Sequence, residues 1–368
     1  MFELTLAKDL LLTPLLTVAG AIDKKQHLPI LANILVKLKD NKLWLTATDL
    51  EIQISFCVDC NESSNGGVVT VPAKKIVDII RSLDDNTYPK IKYNNGVVTI
   101  SEGRSTFKLT TLPGDNYPVS DDESSEFEFT LSRKNLINLL QSTHFAMSQQ
   151  DVRIYLNGLL LEIDTQSITA VATDGHRMAI CKFPCSGLNA LQRLLIPRKG
   201  VLELLRLLNN ISDEVITLSA GKSHLKLTTT HYVFSSKLIE ARFPPYAKVI
   251  PRNQDKQVII DREQLRRSLS RITILAHEKF RAVLLQIQEN LLTLIANNQE
   301  QEEAVESLVA ETSGDELKIG INANYLLDVL NHLPEGPLRL SLSNTETSIM
   351  VESLADDFYQ YIIMPMKI

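Results

Sequence analysis

The chain has 368 residues, of which 44% are hydrophobic and 22% charged, with a formal net charge of −6. One hydrophobic core does not serve a chain of that length, so two or three domains of an ordinary globular protein are expected. An acidic total excludes simple whole-surface attraction to nucleic acid, and no apolar run approaches the roughly 20 residues that cross a bilayer.

The first residues, Met1-Phe2-Glu3-Leu4, lack the basic start and apolar stretch of a signal peptide, so a cytoplasmic protein with no membrane partner is expected. A helical pattern begins near Ala7. Alternating, β-branched residues then mark strands in Leu43–Ile54, and the turn-forming stretch 61–67 follows. Pro72-Ala-Lys-Lys-Ile-Val-Asp-Ile-Ile reads as a helix start, with Ile76, Ile79, Ile80 and Leu83 three and four apart. Asn94-Asn95-Gly96 is a turn before the strand Val97–Ile100, and Phe107–Leu112 reads as a further apolar strand. The polar, acidic stretch Val119–Glu126 has the character of a linker.

From there the pattern repeats. A helix begins near Arg133, strands occupy Leu159–Ile163, and Leu45-Thr-Ala-Thr-Asp recurs as Ala170-Val-Ala-Thr-Asp. Pro197-Arg-Lys-Gly-Val-Leu-Glu-Leu-Leu stands 125 residues after Pro72, and Asn322-Ala-Asn-Tyr-Leu-Leu-Asp-Val-Leu another 125 on. A second linker at Pro251–Gln257 precedes a helix near Arg262 and strands in Leu291–Ala296, with Leu294-Ile-Ala-Asn-Asn as the loosest copy of the motif. The strand Phe107–Leu112 returns as Phe234–Ile239 and Tyr361–Met366, so the third copy stops where the chain stops.

The fold class expected is therefore α+β: three repeated domains, 1–122, 123–253 and 254–368, each an antiparallel sheet plus two helices. A period this long is no solenoid, whose repeats run about 20 to 50 residues. Three domains side by side form an arc, pairing of edge strands would protect their sheets, and a head-to-tail dimer about a two-fold axis would close the arc into a six-domain ring.

The pairs Cys57/Cys60 and Cys181/Cys185 superficially suggest a zinc site. Cys57 ends a strand-like run and no His accompanies either pair, so free thiols and no metal are expected. Charge is distributed unevenly. Seven acidic residues and no Lys or Arg lie between Glu300 and Glu316, whereas Arg262, Arg266, Arg267, Arg271, Lys279 and Arg281 dominate Arg262–Arg281. Different surfaces for different partners are implied.

Several stretches in register resemble one family. They are Leu28-Pro-Ile-Leu-Ala-Asn, Thr46-Ala-Thr-Asp-Leu-Glu, Gln150-Asp-Val-Arg, Tyr155-Leu-Asn-Gly, Ala172-Thr-Asp-Gly-His-Arg, Ile196-Pro-Arg-Lys-Gly, Arg242-Phe-Pro-Pro-Tyr, Asn297-Asn-Gln-Glu-Gln-Glu-Glu-Ala and the ending Met364-Pro-Met-Lys-Ile. Together they resemble the bacterial DNA polymerase III beta subunit, the sliding clamp, over the whole chain. The resemblance implies the DNA clamp fold, a homodimeric ring around duplex DNA, and a non-enzymatic processivity factor without cofactor. Its implied partners are the polymerase III catalytic subunit, other replicative and repair polymerases, and a separate ATP-driven clamp loader. The chain itself has no GxxxxGK[ST] phosphate loop.

In that family the helices line the hole, where Lys and Arg would displace counterions from DNA. Candidates on the helices are Lys74, Lys75, Arg81, Arg133, Lys134, Arg198, Lys199, Arg206, Arg262, Arg266, Arg267 and Arg271. More direct DNA contacts are implied at Lys25, Lys74, Gln150, Ile154 and Tyr155. Lys25 and Lys74 stand where Arg is common, keeping charge but not forked hydrogen bonding, and Ile154 replaces a frequent Tyr. The acidic total fits a clamp that slides, held by topology and weak phosphate contacts.

The family's second surface is a hydrophobic groove between the second and third domains that docks short linear peptides. The resemblance places Leu156, Thr173, Gly175, His176, Arg177, Met178, Pro244, Lys248 and Val249 there. It adds Tyr325, Ser348, Ile362, Met364, Pro365 and Met366. Met178 and Lys248 differ from the usual Leu and Arg. Met side chains adapt to varied ligands, and Pro365 ends ladder pairing, although a last strand packed on the core also accounts for Ile362 and Ile363. Two other readings compete: a metal-dependent DNA-processing enzyme built on Asp49, Glu51 and Asp174, and a protein-only scaffold whose repeats form an arc without DNA.

Overall fold

The computed structural model describes residues 2–23, 28–60, 66–120, 125–185 and 191–367, so Lys25 lies outside the described residues. Among these are helices α1 (Lys8–Ala19), α2 (Ala73–Ser82), α3 (Arg133–Gln141), α4 (Arg198–Asn210), α5 (Arg262–Ile272) and α6 (Ala323–His332). The starts of α2, α4 and α6 keep the 125-residue interval.

Local chemistry explains where they begin. Pro72, with φ −55°, is the residue just before α2 rather than its first helical residue, so the fixed dihedral sets the entry. Asn322 accepts a hydrogen bond from the Asn324 N–H at 2.9 Å, and Asp261 from the Gln264 N–H at 2.9 Å, each capping its helix. On α2, Ile76, Val77 and Ile80 are buried while Lys74, Lys75, Asp78 and Arg81 are exposed, which is the amphipathic spacing the sequence carries.

The first residue of the leading helix of each repeat also locks that repeat's second helix. Lys8 Nζ donates to the Leu83 carbonyl at 2.6 Å, Arg133 Nη1 to Leu208 at 2.8 Å, and Arg262 Nη1 to Leu333 at 2.8 Å. A cation meeting carbonyls at a helix C-terminus answers both their missing hydrogen bonds and the helix dipole. Arg133 and Arg262 are thus structural caps. They were expected on a DNA-facing surface because composition does not distinguish a cation turned inward from one turned outward.

The chain falls into two compact units, Met1–Lys134 with Leu202–Leu238, and Asn135–Val201 with Ile239–Ile368. Among the described residues, each contains one nine-stranded and one four-stranded antiparallel sheet. In the first unit the large sheet runs Phe127–Ser132, Val215–Ala220, His224–Thr228, Tyr232–Lys237, Ile52–Asp59, Lys42–Thr48, Asn33–Lys39, Gly67–Pro72, Leu112–Pro113. In the second it runs Gln192–Pro197, Gly158–Ile163, Ser167–Thr173, Arg177–Pro184, Tyr359–Ile363, Ile349–Ser353, Pro337–Leu342, Lys256–Asp261, Glu311–Ser313.

Each large sheet joins two repeats edge to edge, and both joints use the same register. Ser55 faces Val233 in one and Ile180 faces Gln360 in the other. Because hydrogen bonding continues through the joints, the compact units cut across the repeats. The closing strands begin and end earlier than apolar spacing suggests, at Ser105–Thr110, Tyr232–Lys237 and Tyr359–Ile363. The residues before each apolar run, Ser105-Thr106, Tyr232-Val233 and Tyr359-Gln360, also join the ladder. Met364 leaves it, its N–H donating to the His176 carbonyl at 2.9 Å. Ser105–Thr110 and Glu303–Val309 each lie at one edge of a small sheet, with Phe2–Thr5 and Leu317–Asn322 at the other edges.

Candidate functional site

The recurring Thr-Asp motif is a turn. Asp49 Oδ1 accepts from the N–H groups of Glu51 and Ile52, and Asp174 Oδ1 from those of His176 and Arg177, all between 2.8 and 3.0 Å. Thr48 and Thr173 donate to the carbonyls of Ile52 and Arg177 at 2.7 and 2.6 Å. Both carboxylates are therefore engaged in shaping backbone, as Asx turns require. The enzyme alternative built on them finds no support. The four cysteines are free, and burial pushes the Cys181 thiol up to about 12.

In the second unit this turn forms one wall of a cavity of about 180 Å3. Gly175 sits at φ +89°, and a Cβ there would also meet the Arg153 guanidinium at 3.2 Å, so glycine suits both backbone and space. Met178 and Ile362 face one another across paired strands and form the floor, only 5% and 2% exposed. They belong to a buried cluster with Leu160, Val171, Ile180 and Leu195. Leu156, from the 3-10 turn Ile154–Asn157, is buried at one side.

The opposite wall is the connecting segment Phe243, Pro244, Tyr246 and Val249. The Phe243 ring meets Tyr155 edge-on, with centroids 6.2 Å apart. The Tyr246 hydroxyl donates to Glu162 Oε1 at 3.1 Å, and burial, with the Glu162 charge beside it, pushes its pKa up to about 12. Met364, 47% exposed, lies at the mouth.

Arg177 fixes the rim. Its Nε donates to Asp174 Oδ2 at 3.1 Å, its Nη2 to the Phe145 carbonyl at 2.9 Å, and its Nη1 to Asp328. The guanidinium lies 4.6 Å from the Tyr325 ring centroid, and His176 stacks on the same ring. Arg153 is held by Asp151, whose carboxyl falls to about 2, first through the side-chain hydrogen bond from Arg153 and then through the Arg153 N–H. The result is a small apolar cleft with aromatic walls and a few fixed polar groups, a geometry that suits short apolar side chains on a peptide.

Three sequence models of one family match nearly the whole chain: the DNA polymerase III beta subunit N-terminal domain at residues 2–121, the central domain at 130–245 and the C-terminal domain at 247–367. The chain belongs to the DNA polymerase III beta subunit family. Relatives named beta sliding clamp are 40% identical in Pseudomonas aeruginosa, over 99% of each chain, and 39% identical in Escherichia coli, over 100% of each. A crystal structure of the P. aeruginosa sliding clamp bound to griselimycin superposes with a TM-score of 0.96 at 39% identity, and the Thermotoga maritima beta subunit with 0.94 at 26%, each covering 100% of both chains. Three domains of antiparallel sheet with helices are the fold of that family.

Of the groove residues expected from resemblance, Leu156, Thr173, Gly175, His176, Arg177, Met178, Pro244, Val249, Ile362 and Met364 line the cavity. Tyr325 stands behind it against His176 and Arg177. Lys248 is exposed at the end of the connecting segment, Ser348 has its carbonyl bound by Gln254 at 3.1 Å, and Met366 pairs with Gly320. Those three and Pro365 are not among the lining residues. Arg153, Phe243 and Tyr246 line the cavity unforeseen, although each lies within a quoted stretch. Tyr155, expected at DNA, is placed in the cavity wall.

The basic helices divide into two kinds. Lys74, Lys75 and Lys134 are exposed, as are Gln150 and Ile154 on the loop before the groove, and Lys199 is half-buried on α4. The arginines are more committed. Arg198 Nη1 donates to the Met147 carbonyl at 3.2 Å, and Arg206 Nη2 to the Thr17 carbonyl at the end of α1 at 2.6 Å and its Nε to Glu203 at 2.6 Å. Arg266 and Arg267 share Glu263, at 2.8 and 2.6 Å, and Arg271 pairs with Glu306.

Proposed function

We propose that this chain is a processivity factor: a homodimeric ring that encircles duplex DNA without sequence preference and tethers polymerases through the second unit's groove. The single observation that carries this reading is likeness to beta sliding clamps over the full length of both chains. The groove supports tethering, since an adaptable Met- and aromatic-lined cleft accepts peptides from several partners. On the DNA side we assign Lys74, Gln150, Ile154 and Lys199 to direct contact, with Tyr155 reached from the same loop. Arg206, Arg266 and Arg267 act with their charge already partly balanced by carboxylates, and Arg198 with one donor engaged by the Met147 carbonyl. We place the domain boundaries near 122 and 253.

The role is non-catalytic and cytoplasmic, and an ATP-driven loader opens the ring. Among the described residues no helix is long and apolar enough to cross a membrane. The decisive test loads the protein with such a loader onto nicked circular duplex and then linearises the circle. Retention on the circle followed by release on cutting is expected. Equal retention on both forms would overturn the topological reading.

A further inference from the structure

Two histidines stand behind the rim of the groove. Arg177 is held from outside its own turn by Phe145, Asp328 and Tyr325, and the first two of these also touch His332 on α6. Phe145 stacks on the His332 ring with centroids 4.5 Å apart, and the Asp328 carbonyl meets His332 Nδ1 at 2.7 Å. His144 lies edge-on to the same imidazole at 5.6 Å. Its own Nδ1 is 3.0 and 3.1 Å from the carbonyls of Leu140 and Gln141 at the end of α3. Carbonyls only accept, so in both rings Nδ1 carries the hydrogen and Nε2 is where a proton would add.

Cations crowd this pair. Arg198 on α4 acts on His144, and Arg177 lies 5.3 Å from the Phe145 ring centroid. Arg262 reaches the Leu330 and Leu333 carbonyls on either side of His332 while pairing with Glu263 and Glu335. Tyr361, 5.9 Å from Phe145, is kept neutral by burial. Favouring a charge are the carbonyls that end α3 and α6 and the Asp328 carboxylate, four residues before His332 and so on the same helical face. Burial, then His332 and Arg198, nevertheless keep His144 below the ordinary histidine value of 6.5. Stability that depends on neutral His144 is therefore present above about pH 6.5 and lost as pH falls below it. We propose that His144 and His332 position Arg177 through Phe145 and Asp328, and that charging the pair in mild acid loosens the Thr173–Met178 turn and weakens peptide binding. The inference rests on the reading of this groove as a peptide site. Neutral, the pair leaves Asp328 to Arg177. Charged, His332 becomes a second cation for the same carboxylate and repels the guanidinium it supports.

Two readouts on the full-length protein test this. The first is the affinity of a capped, uncharged hexapeptide of Leu, Phe and Gln, followed by anisotropy of a rhodamine label from about pH 7.5 to about 5.5. A fall of about three- to tenfold is expected. It should vanish in His144→Asn/His332→Asn, because the Asn amide can donate where Nδ1 does but takes no proton. It should persist in His176→Asn, whose ring is the one in the groove wall. The second readout needs no peptide: hydrogen exchange of the Thr173–Met178 amides, corrected for intrinsic rates, should lose protection at the lower pH in the unaltered chain. A flat affinity profile, an equal fall in the double variant, or a fall abolished by His176→Asn would each overturn the proposal. Should the double variant melt early, exchange in the unaltered chain decides, and unchanged protection of the turn sinks the idea. Loosening of the turn without peptide binding at any pH would support the positioning role and count against the groove reading, so the two failures stay distinct.

Discussion

Arg177 shows how one side chain can hold a binding surface together. It is half of an i,i+3 pair with Asp174, reaches Asp328 on α6 and the Phe145 carbonyl, and covers the Tyr325 ring, while its side chain is only 12% exposed. Removing a charged donor from buried partners costs about 1.5–3 kcal/mol, so Arg177→Ala should lower the urea midpoint and release the Thr173–Met178 turn that walls the groove. Arg177→Lys keeps the charge but not the fork. It should recover part of the stability and little of the affinity for groove-binding peptides, read by fluorescence anisotropy. The same scale explains a difference between two kinds of basic residue. Arg262→Ala removes the cation at the end of α6 and should destabilise the fold by about 1–2 kcal/mol. Lys74→Ala, on an exposed position, should leave melting unchanged and weaken DNA binding alone.

At the scale of elements, α5 carries the densest basic stripe, and that stripe is already ion-paired. Hydrogen bonds from Arg266 and then Arg267 lower the Glu263 carboxyl to about 2. A pKa depressed in the folded protein means that the paired state is present above the ordinary carboxylate range and is lost only as pH falls through about 2. Acidification from pH 7 to 4.5 should therefore leave these arginines engaged. Glu263→Gln should free them at any pH, raising affinity for a short linear duplex and steepening its salt dependence by about one to two phosphate contacts, as measured by binding from low to moderate salt. An unchanged slope would place α5 away from DNA. Much at this scale was legible in the sequence. The starts of α2, α4 and α6 follow from Pro72, Pro197 and Asn322 at constant spacing, and the Thr-Asp copies mark equivalent turns. What was not legible is direction: Arg133 and Arg262 look like Lys74 and Lys75 in composition, yet their partners lie 75 and 71 residues away. Phe243 and Tyr246 were missed for a similar reason, since nothing local to Arg242-Phe-Pro-Pro-Tyr says that it faces Met178 across the cavity.

At the scale of the whole molecule, the two internal joints specify the one that must close a ring. Each joint pairs the last strand of one repeat with the same hairpin strand of the repeat before it: Tyr232–Lys237 with Ile52–Asp59, and Tyr359–Ile363 with Arg177–Pro184. The strands left over are Ser105–Thr110, the last of the first repeat, and Glu303–Val309, the hairpin strand of the third. An exposed strand edge invites pairing, and Val305 and Val309 are 57% and 77% exposed on one of these two. Repeat spacing also sets the register. Val305 follows Ile180 by 125 residues, and Thr106 precedes Val233 by 127. In the internal joints Ile180 faces Gln360 and Ser55 faces Val233, so Val305 should face Thr106 of the partner subunit. Directly opposed antiparallel residues have Cα atoms about 4.5–5.5 Å apart, within disulfide range. The variant Thr106→Cys/Val305→Cys should therefore form covalently closed dimers on mild oxidation, which persist as twice the chain mass in non-reducing denaturing gels. Lys108→Cys/Val305→Cys, two residues out of register, should cross-link poorly, and the unaltered chain with its four native thiols provides the background. Equal yields from both pairs would show that the closing joint does not copy the internal ones. A monomeric mass for the unaltered chain in light scattering would remove the joint altogether.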